Sequence, residues 1–298
     1  MQISTQQFYT SNQRNFAALS TTADILQTQI ATGKKLTAPS DDAVGYRRLQ
    51  QLARDGSNDQ AYADNITIVQ SALGQADTTL KSITDDIQRA KELAVKANSG
   101  TLSPSDRAII ADELDSIVQG IVALANAKDS RGASIFASGD SPAVTFNAGN
   151  STFSFAVSGP AAIPIGDSSS AVPGDAASRL FVDANGGNIL ADISALSAAL
   201  RGTGDVSALA GATGDKLTAS NSQIAGVQGS LGARSQRVDI ESTRMTDAAT
   251  DREITRKSIE DTDVTQAITD LQKTMTILSA AQASFSKLSS LSLFNYLK

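Results

Sequence analysis

From Tyr62 to Ala97 apolar residues recur at Ile66, Val69, Leu73, Ala76, Leu80, Ile83, Ile87, Ala90, Ala94 and Ala97, in steps that alternate between four and three without a break. Only an α-helix brings such a series to one side, and a 3.5-residue repeat is that of a seam between helices. At 1.5 Å per residue the segment is a rod of about 50 Å. Glu92 and Lys96 stand at i,i+4 on its outer side. Gly100 is placed to stop it. Ser103-Pro104 then opens the next helix, with Ser as N-cap, Pro at the first helical position and Asp106 in the first turn. Ile109, Ile110, Leu114, Ile117, Val118, Ile121 and Leu124 give that helix a wide apolar stripe. Further on, Ile189 to Leu200 reads as a short amphipathic helix. Residues 217–257 read as a long one through Ile224, Val227, Leu231 and Val238.

The helical pattern breaks in one window. Four of the six prolines, Pro142, Pro160, Pro164 and Pro173, and five of the nine Phe lie between residues 136 and 181. Within it AVTF, STFSFAVS and SRLFVDA read as short strands, and Phe153, Phe155 and Val157 alternate with Thr152, Ser154 and Ala156. We expect a self-contained sheet here, turn-prone on both sides and removable without loss of the helices. The domains are accordingly read as an N-terminal coiled-coil segment (1–45), the first half of a helical core (46–138), a β-rich insertion (139–187), the second half of the core (188–257) and a C-terminal coiled-coil segment (258–298). The fold class is mainly α, a long antiparallel helical bundle and coiled coil with a small β-rich insertion.

Both ends carry seams. Phe16, Leu19, Ala23, Leu26 and Ile30 step three, four, three, four; Val264, Ile268, Leu271, Met275, Leu278, Gln282 and Phe285 step four, three, four, three, four, three. Their outer faces are nearly uncharged: residues 1–33 hold only Arg14 and Asp24, and residues 264–286 only Asp270 and Lys273. A solvated helix normally carries charge on its outer face. Either these are core helices of one bundle, or each is buried twice, once within the chain and once against neighbouring copies. Neutral polar faces favour the second reading, because they are desolvated at lower cost than charged ones. With little aromatic area, the two ends are expected to gain their order on assembly.

Enzyme chemistry finds little to work with. The chain has no His, Cys or Trp, which removes thiol nucleophiles, His-based triads and nearly all zinc sites. A net charge of −6 speaks against a nucleic-acid partner. No apolar run reaches the ~18 residues of a membrane span, and the N-terminus lacks the basic and apolar regions of a cleavable signal. Residues 183–188, DANGGN, make a turn rather than a calcium loop, since no Glu follows at the twelfth position. Gly226, Gly229 and Gly232 suit close helix packing; no phosphate-loop Lys follows. The adjacent pairs Asp41-Asp42 and Asp85-Asp86 lack the geometry of a catalytic dyad. No catalytic, cofactor-binding or metal-binding residue is assigned.

The terminal motifs carry a resemblance. Ile3-Ser4-Thr5-Gln6-Gln7-Phe8-Tyr9 opens the chain, and Ile30-Ala31-Thr32-Gly33-Lys34-Lys35-Leu36 runs into Pro39-Ser40-Asp41-Asp42-Ala43-Val44-Gly45. Asn126, Asp129, Gly132 and Ile135-Phe136-Ala137-Ser138-Gly139 follow the second core helix. Leu231-Gly232-Ala233-Arg234 with Arg237-Val238 lies on the returning helix, and Ile259-Glu260-Asp261-Thr262-Asp263 precedes Ala280-Ala281-Gln282-Ala283-Ser284-Phe285-Ser286-Lys287-Leu288. Together these resemble the flagellin superfamily over the helical flanks; the insertion matches by position alone. Lys35 and Ala43 depart from the family's usual Arg and Pro. The end, Ser290-Leu291-Ser292-Leu293-Phe294-Asn295-Tyr296-Leu297, is similar to the hook–filament junction branch rather than to filament flagellins.

What the resemblance implies is a structural subunit of the bacterial flagellum, extracellular and exported unfolded through the flagellar type III apparatus without a cleavable signal. About eleven copies would close a ring. The first hook-associated protein would lie on its hook side, flagellin on its filament side, and an export chaperone would accompany the chain. A filament flagellin is the alternative within the family, and a monomeric helical binding or enzymatic module is the alternative outside it. Candidate assembly residues are Phe16, Leu19, Leu26, Ile30, Val264, Ile268, Leu271, Met275, Leu278 and Phe285 from the seams, with Leu293, Phe294 and Tyr296 from the terminal motif.

Overall fold

A computed structural model describes residues 2–99 and 102–294 of the chain, with side chains described over 6–99 and 102–288. Gly100, read above as a helix stop, lies outside the described residues. The elements run in the order α1 (Gln2–Thr32), α2 (Ala43–Ala97), α3 (Pro104–Ala125), β1 (Val144–Asn147), β2 (Thr152–Phe155), β3 (Ile163–Gly166), β4 (Ser169–Ala171), α4 (Ala177–Phe181), α5 (Ile189–Leu200), α6 (Ser207–Glu260) and α7 (Val264–Phe294). The fold is mainly α, with two small antiparallel hairpins, β1 with β2 and β3 with β4. Two compact units divide it: residues 1–57 with 248–298, and residues 58–247.

The second unit is organised by the α2 seam. Every seam residue from Ile66 to Ala97 is at most 3% exposed. Ile110, Leu114 and Ile121 of α3, Ile193 and Leu196 of α5, and Leu217, Ile224, Val227, Leu231 and Val238 of α6 belong to the same core. α3 starts as its sequence requires: the Ser103 hydroxyl accepts from the Asp106 N–H at 3.2 Å, and Pro104 takes the first helical position. Asn188 caps α5 in the same way, accepting from Ala191 N–H at 2.8 Å. Ile109, counted in the α3 stripe, is 64% exposed, because the core-facing arc runs through Ile110, Leu114, Ile117 and Ile121.

The insertion departs from expectation. AVTF and STFSFAVS give β1 and β2, in register Val144 to Phe155 and Phe146 to Phe153. SRLFVDA is not a strand: its first half forms the helix α4. Leu180 and Phe181 are both buried, along with Ala177. Adjacent strand residues point to opposite faces, whereas i, i+3 and i+4 share one side of a helix, so only the helix buries all three. The β3–β4 hairpin adds two strands beyond those read from the sequence; Pro164 sits in a short two-stranded hairpin with an irregular register. Nor does the insertion stand apart from the helices. Ala143, Val144, Ile165, Ala171, Ala177, Leu180 and Phe181 join the helical core. The Asn126 side chain bonds both backbone groups of Val144, at 2.8 and 3.0 Å. Gly174 approaches Ile135 so closely that a Cβ there would meet its carbonyl oxygen at 2.1 Å.

In the first unit α1 packs on α7. Gly33 adopts φ +70° and ends α1 in the left-handed conformation that favours glycine. The paired Asp motif then turns the chain. The Asp41 carboxylate accepts from the N–H groups of Thr37 and Ala38 at 3.0 and 2.9 Å, and these bonds hold it below its ordinary pKa. Asp42 accepts from Val44 N–H at 2.9 Å and starts α2. Two neighbouring carboxylates that cannot form a catalytic dyad thus serve as one turn and one cap.

Candidate assembly interface

The α1 side of the terminal pair follows the sequence. Phe16, Leu19, Leu26 and Ile30 are half-buried and Ala23 is 4% exposed, and the same repeat runs back through Asn12 to Tyr9. The α7 side follows a different register. Its buried or half-buried positions are Ala267, Leu271, Thr274, Leu278, Ala281 and Phe285, with Asp270 on the flank. Leu271, Leu278 and Phe285 belong to both registers and lie in the seam. Val264, Ile268 and Met275 do not: they are 40%, 42% and 46% exposed. At 3.6 residues per turn they form a stripe roughly 80° around the helix from the seam. The seam therefore takes Ala267, Thr274 and Ala281 at its alternate positions and turns larger residues outward. The larger series is the more hydrophobic of the two, but the small series lets two backbones approach more closely. The side chains of Leu293 and Phe294 are not described, and Tyr296 lies outside the described residues.

Aromatic packing holds the far end of the pair, correcting the expectation that ring area contributes little there. Phe285 stacks on Phe8 with centroids 6.2 Å apart and meets Tyr9 and Phe16 edge-on at 5.3 and 5.6 Å. Such ring pairs each contribute about 0.5–1.5 kcal/mol beyond area burial. Phe285→Ala is expected to destabilise the α1–α7 pair by about 2–4 kcal/mol. Proteolysis of the monomer should then cut within both ends while residues 58–247 stay protected; ends as resistant as in the parent chain would refute this.

A polar latch closes the opposite end. Lys35 N–H donates to the Glu260 carbonyl at 2.7 Å and Thr262 N–H to that of Gly33 at 3.0 Å. Lys34 and Arg256 both pair with the Glu260 carboxylate. Burial pushes that carboxyl up, but the bonds and charges of Lys34 and Arg256 outweigh it and leave it below its ordinary value. α1 and α7 thus run antiparallel, with Phe8 to Phe16 beside Phe285 and Gly33 beside Thr262.

Residues 3–140 match the model of the bacterial flagellin N-terminal helical region, and residues 215–297 match that of the C-terminal helical region. The chain belongs to the flagellin family. This is a family of structural proteins rather than enzymes. Over 147 residues the chain is 33% identical to flagellar hook-associated protein 3 of Salmonella typhimurium, an alignment that spans 49% of this chain and 46% of that protein. Over 93 residues it is 28% identical to the flagellin of Listeria monocytogenes, 31% of this chain and 32% of the relative. The matched region is thus less than half the length of each of these relatives. A crystal structure of flagellar hook associated protein-3 from Legionella pneumophila shares the fold at a TM-score of 0.63 and 14% identity, over 70% of this flagellin-family chain and 98% of the other. No helix among the described residues is long and apolar enough to cross a membrane.

Proposed function

We propose that this chain is a structural subunit of the bacterial flagellum that forms the junction ring between hook and filament, after export through the flagellar type III apparatus. The observation that carries the assembly reading is the outward stripe of Val264, Ile268 and Met275 beside a seam of smaller residues. An exposed apolar stripe on one helix marks an interaction surface. In this reading further copies cover the stripe and close a ring of about eleven subunits. The first hook-associated protein and flagellin are its axial neighbours, and a chaperone holds the chain before export. Similarity to hook-associated protein 3 supports the junction position, as does the Ser290 to Leu297 motif. Similarity to a flagellin keeps a filament subunit as the second reading.

An epitope inserted between Ala148 and Asn150, in the exposed turn between β1 and β2, separates the two by immunogold electron microscopy. A junction subunit labels one band between hook and filament. Label along the whole filament would establish the flagellin reading, and the absence of label from flagella would reject both.

A further inference from the structure

We propose that consecutive copies of this chain are joined head to tail by a charge contact, in which Asp85 and Asp86 of one copy dock into a groove lipped by Arg179 and Arg237 of the next. The proposal rests on the ring assembly proposed above and names one of its contacts.

The groove lies in the second unit, beside the β3–β4 hairpin, with a volume of about 460 Å³. Its floor is electrically closed. Asp175, 7% exposed, accepts from its neighbour Ala176 N–H at 3.0 Å, from Arg179 at 2.7 and 2.9 Å, and from Arg234 at 2.7 Å. Arg234 also donates from Nη1 to the carbonyls of Val172 and Gly174 and from Nη2 to the Ser230 hydroxyl. The lips are not closed. Arg179 engages Asp175 through Nη1 alone, leaving Nε and Nη2. Arg237 is held by one bond from Nη2 to the Ser170 carbonyl at 2.7 Å and meets no carboxylate at ion-pair distance among the described residues. A guanidinium fixed by one bond, with donors to spare, suits a carboxylate. Three arginines against one aspartate make the groove positive in a chain of net charge −6.

The matching acid is on the same unit. Asp86 is half-buried on α2, and a Cβ built on Gly120 of α3 would lie 3.4 Å from its Oδ2. Neither Asp86 nor the exposed Asp85 has a hydrogen bond or an ion pair among the described residues. The cations within helical reach are committed elsewhere: Lys81 pairs with Asp77, and Arg89 pairs with Glu92 and Glu113. Burial, and then the charge of Asp85, push the Asp86 carboxyl above its ordinary value. A partly desolvated carboxylate without a cation destabilises the isolated unit. A second copy supplies what is missing, since each copy carries both the orphan acids and the arginines. A contact between two different patches of the same chain is heterologous, the kind that generates a ring where its rotation closes. Charge complementarity then fixes its register more than its strength.

The chain lacks cysteine, so disulfide trapping has no background. Full-length chain carrying both Asp85→Cys and Arg237→Cys should give a ladder of dimers and higher multimers when flagella are isolated and oxidised, and each single variant should give none. Separately, Arg237→Glu and Asp85→Lys should each cut filament retention under shear at least ten-fold, and the double variant should restore it to within two-fold. Unchanged thermal melting of each purified variant shows that the loss is not one of folding. The contact is overturned if the double-cysteine chain reaches the junction yet stays monomeric on oxidation, if it crosslinks to a different protein, or if the charge-reversed pair fails to recover while both singles fold normally. Immunogold on the same preparations keeps the two proposals apart. Chain missing from the junction rejects the junction reading, whereas chain present without a ladder rejects only this contact.

Discussion

Ile268→Asp and Met275→Asp are expected to leave the free chain folded as before and to abolish its incorporation into flagella, while Leu271→Asp should damage both. The three residues sit within eight positions on α7 and differ chiefly in which way they face. Ile268 and Met275 are 42% and 46% exposed, so a carboxylate there keeps its water in the monomer and changes stability by no more than about 0.5 kcal/mol. Incorporation removes that water without supplying a cation, because the ends carry almost no charge. Leu271 lies in the seam against α1, where losing the side chain and admitting a charge costs about 2–5 kcal/mol. Circular dichroism and proteolysis of the purified variants measure the first effect, and motility with immunogold measures the second. If Ile268→Asp melts the α1–α7 pair as Leu271→Asp does, the stripe already faces α1. If Ile268→Asp and Met275→Asp both incorporate, the stripe is not an interface between copies.

That experiment targets the place where the sequence was ambiguous. Along α2 only one heptad series is apolar, so Ile66 through Ala97 could be assigned to the core directly, and all of them lie there. Along α7 two series overlap through Leu271, Leu278 and Phe285. One continues through Val264, Ile268 and Met275, the other through Ala267, Thr274 and Ala281. Hydrophobicity ranks the first higher. Helix separation favours the second, and separation is a tertiary quantity that one strand of sequence does not record. Residues 178–184 fail for a related reason. β-branched and aromatic content suggested a strand, but the adjacent burial of Leu180 and Phe181 is decided by tertiary packing, with Phe181 against Phe155 of β2. The Asp41-Asp42 motif was recognised as a family mark, and its geometry supplies the reason: one carboxylate ties the turn and the other caps α2.

Deleting residues 141–184 and joining the ends with a short Gly/Ser linker is expected to abolish cooperative folding of the second unit. The sequence suggested the opposite, a sheet that lifts away cleanly. The deletion takes Val144, Ile165, Leu180 and Phe181 out of the helical core, each no more than 2% exposed. Burial of one such side chain is worth about 1.5–3 kcal/mol. Four of them therefore represent an amount comparable to the whole stability of a domain, about 5–15 kcal/mol. Polar groups add to the loss. Asn126 is left without the Val144 backbone, and Arg234 without Val172, Gly174 and Asp175. Half-satisfied buried groups of this kind cost about 1–3 kcal/mol each. Removing only Ala148 and Gly149 from the exposed turn, which leaves a two-residue loop between the paired Asn147 and Thr152, should by contrast be tolerated. Thermal melting of the two purified variants decides the matter: a sharp transition near the parent midpoint for the short deletion, and none for the long one. A long-deletion variant that melts cooperatively near the parent temperature would show that the helices close over the gap, and that the insertion decorates the core rather than completing it.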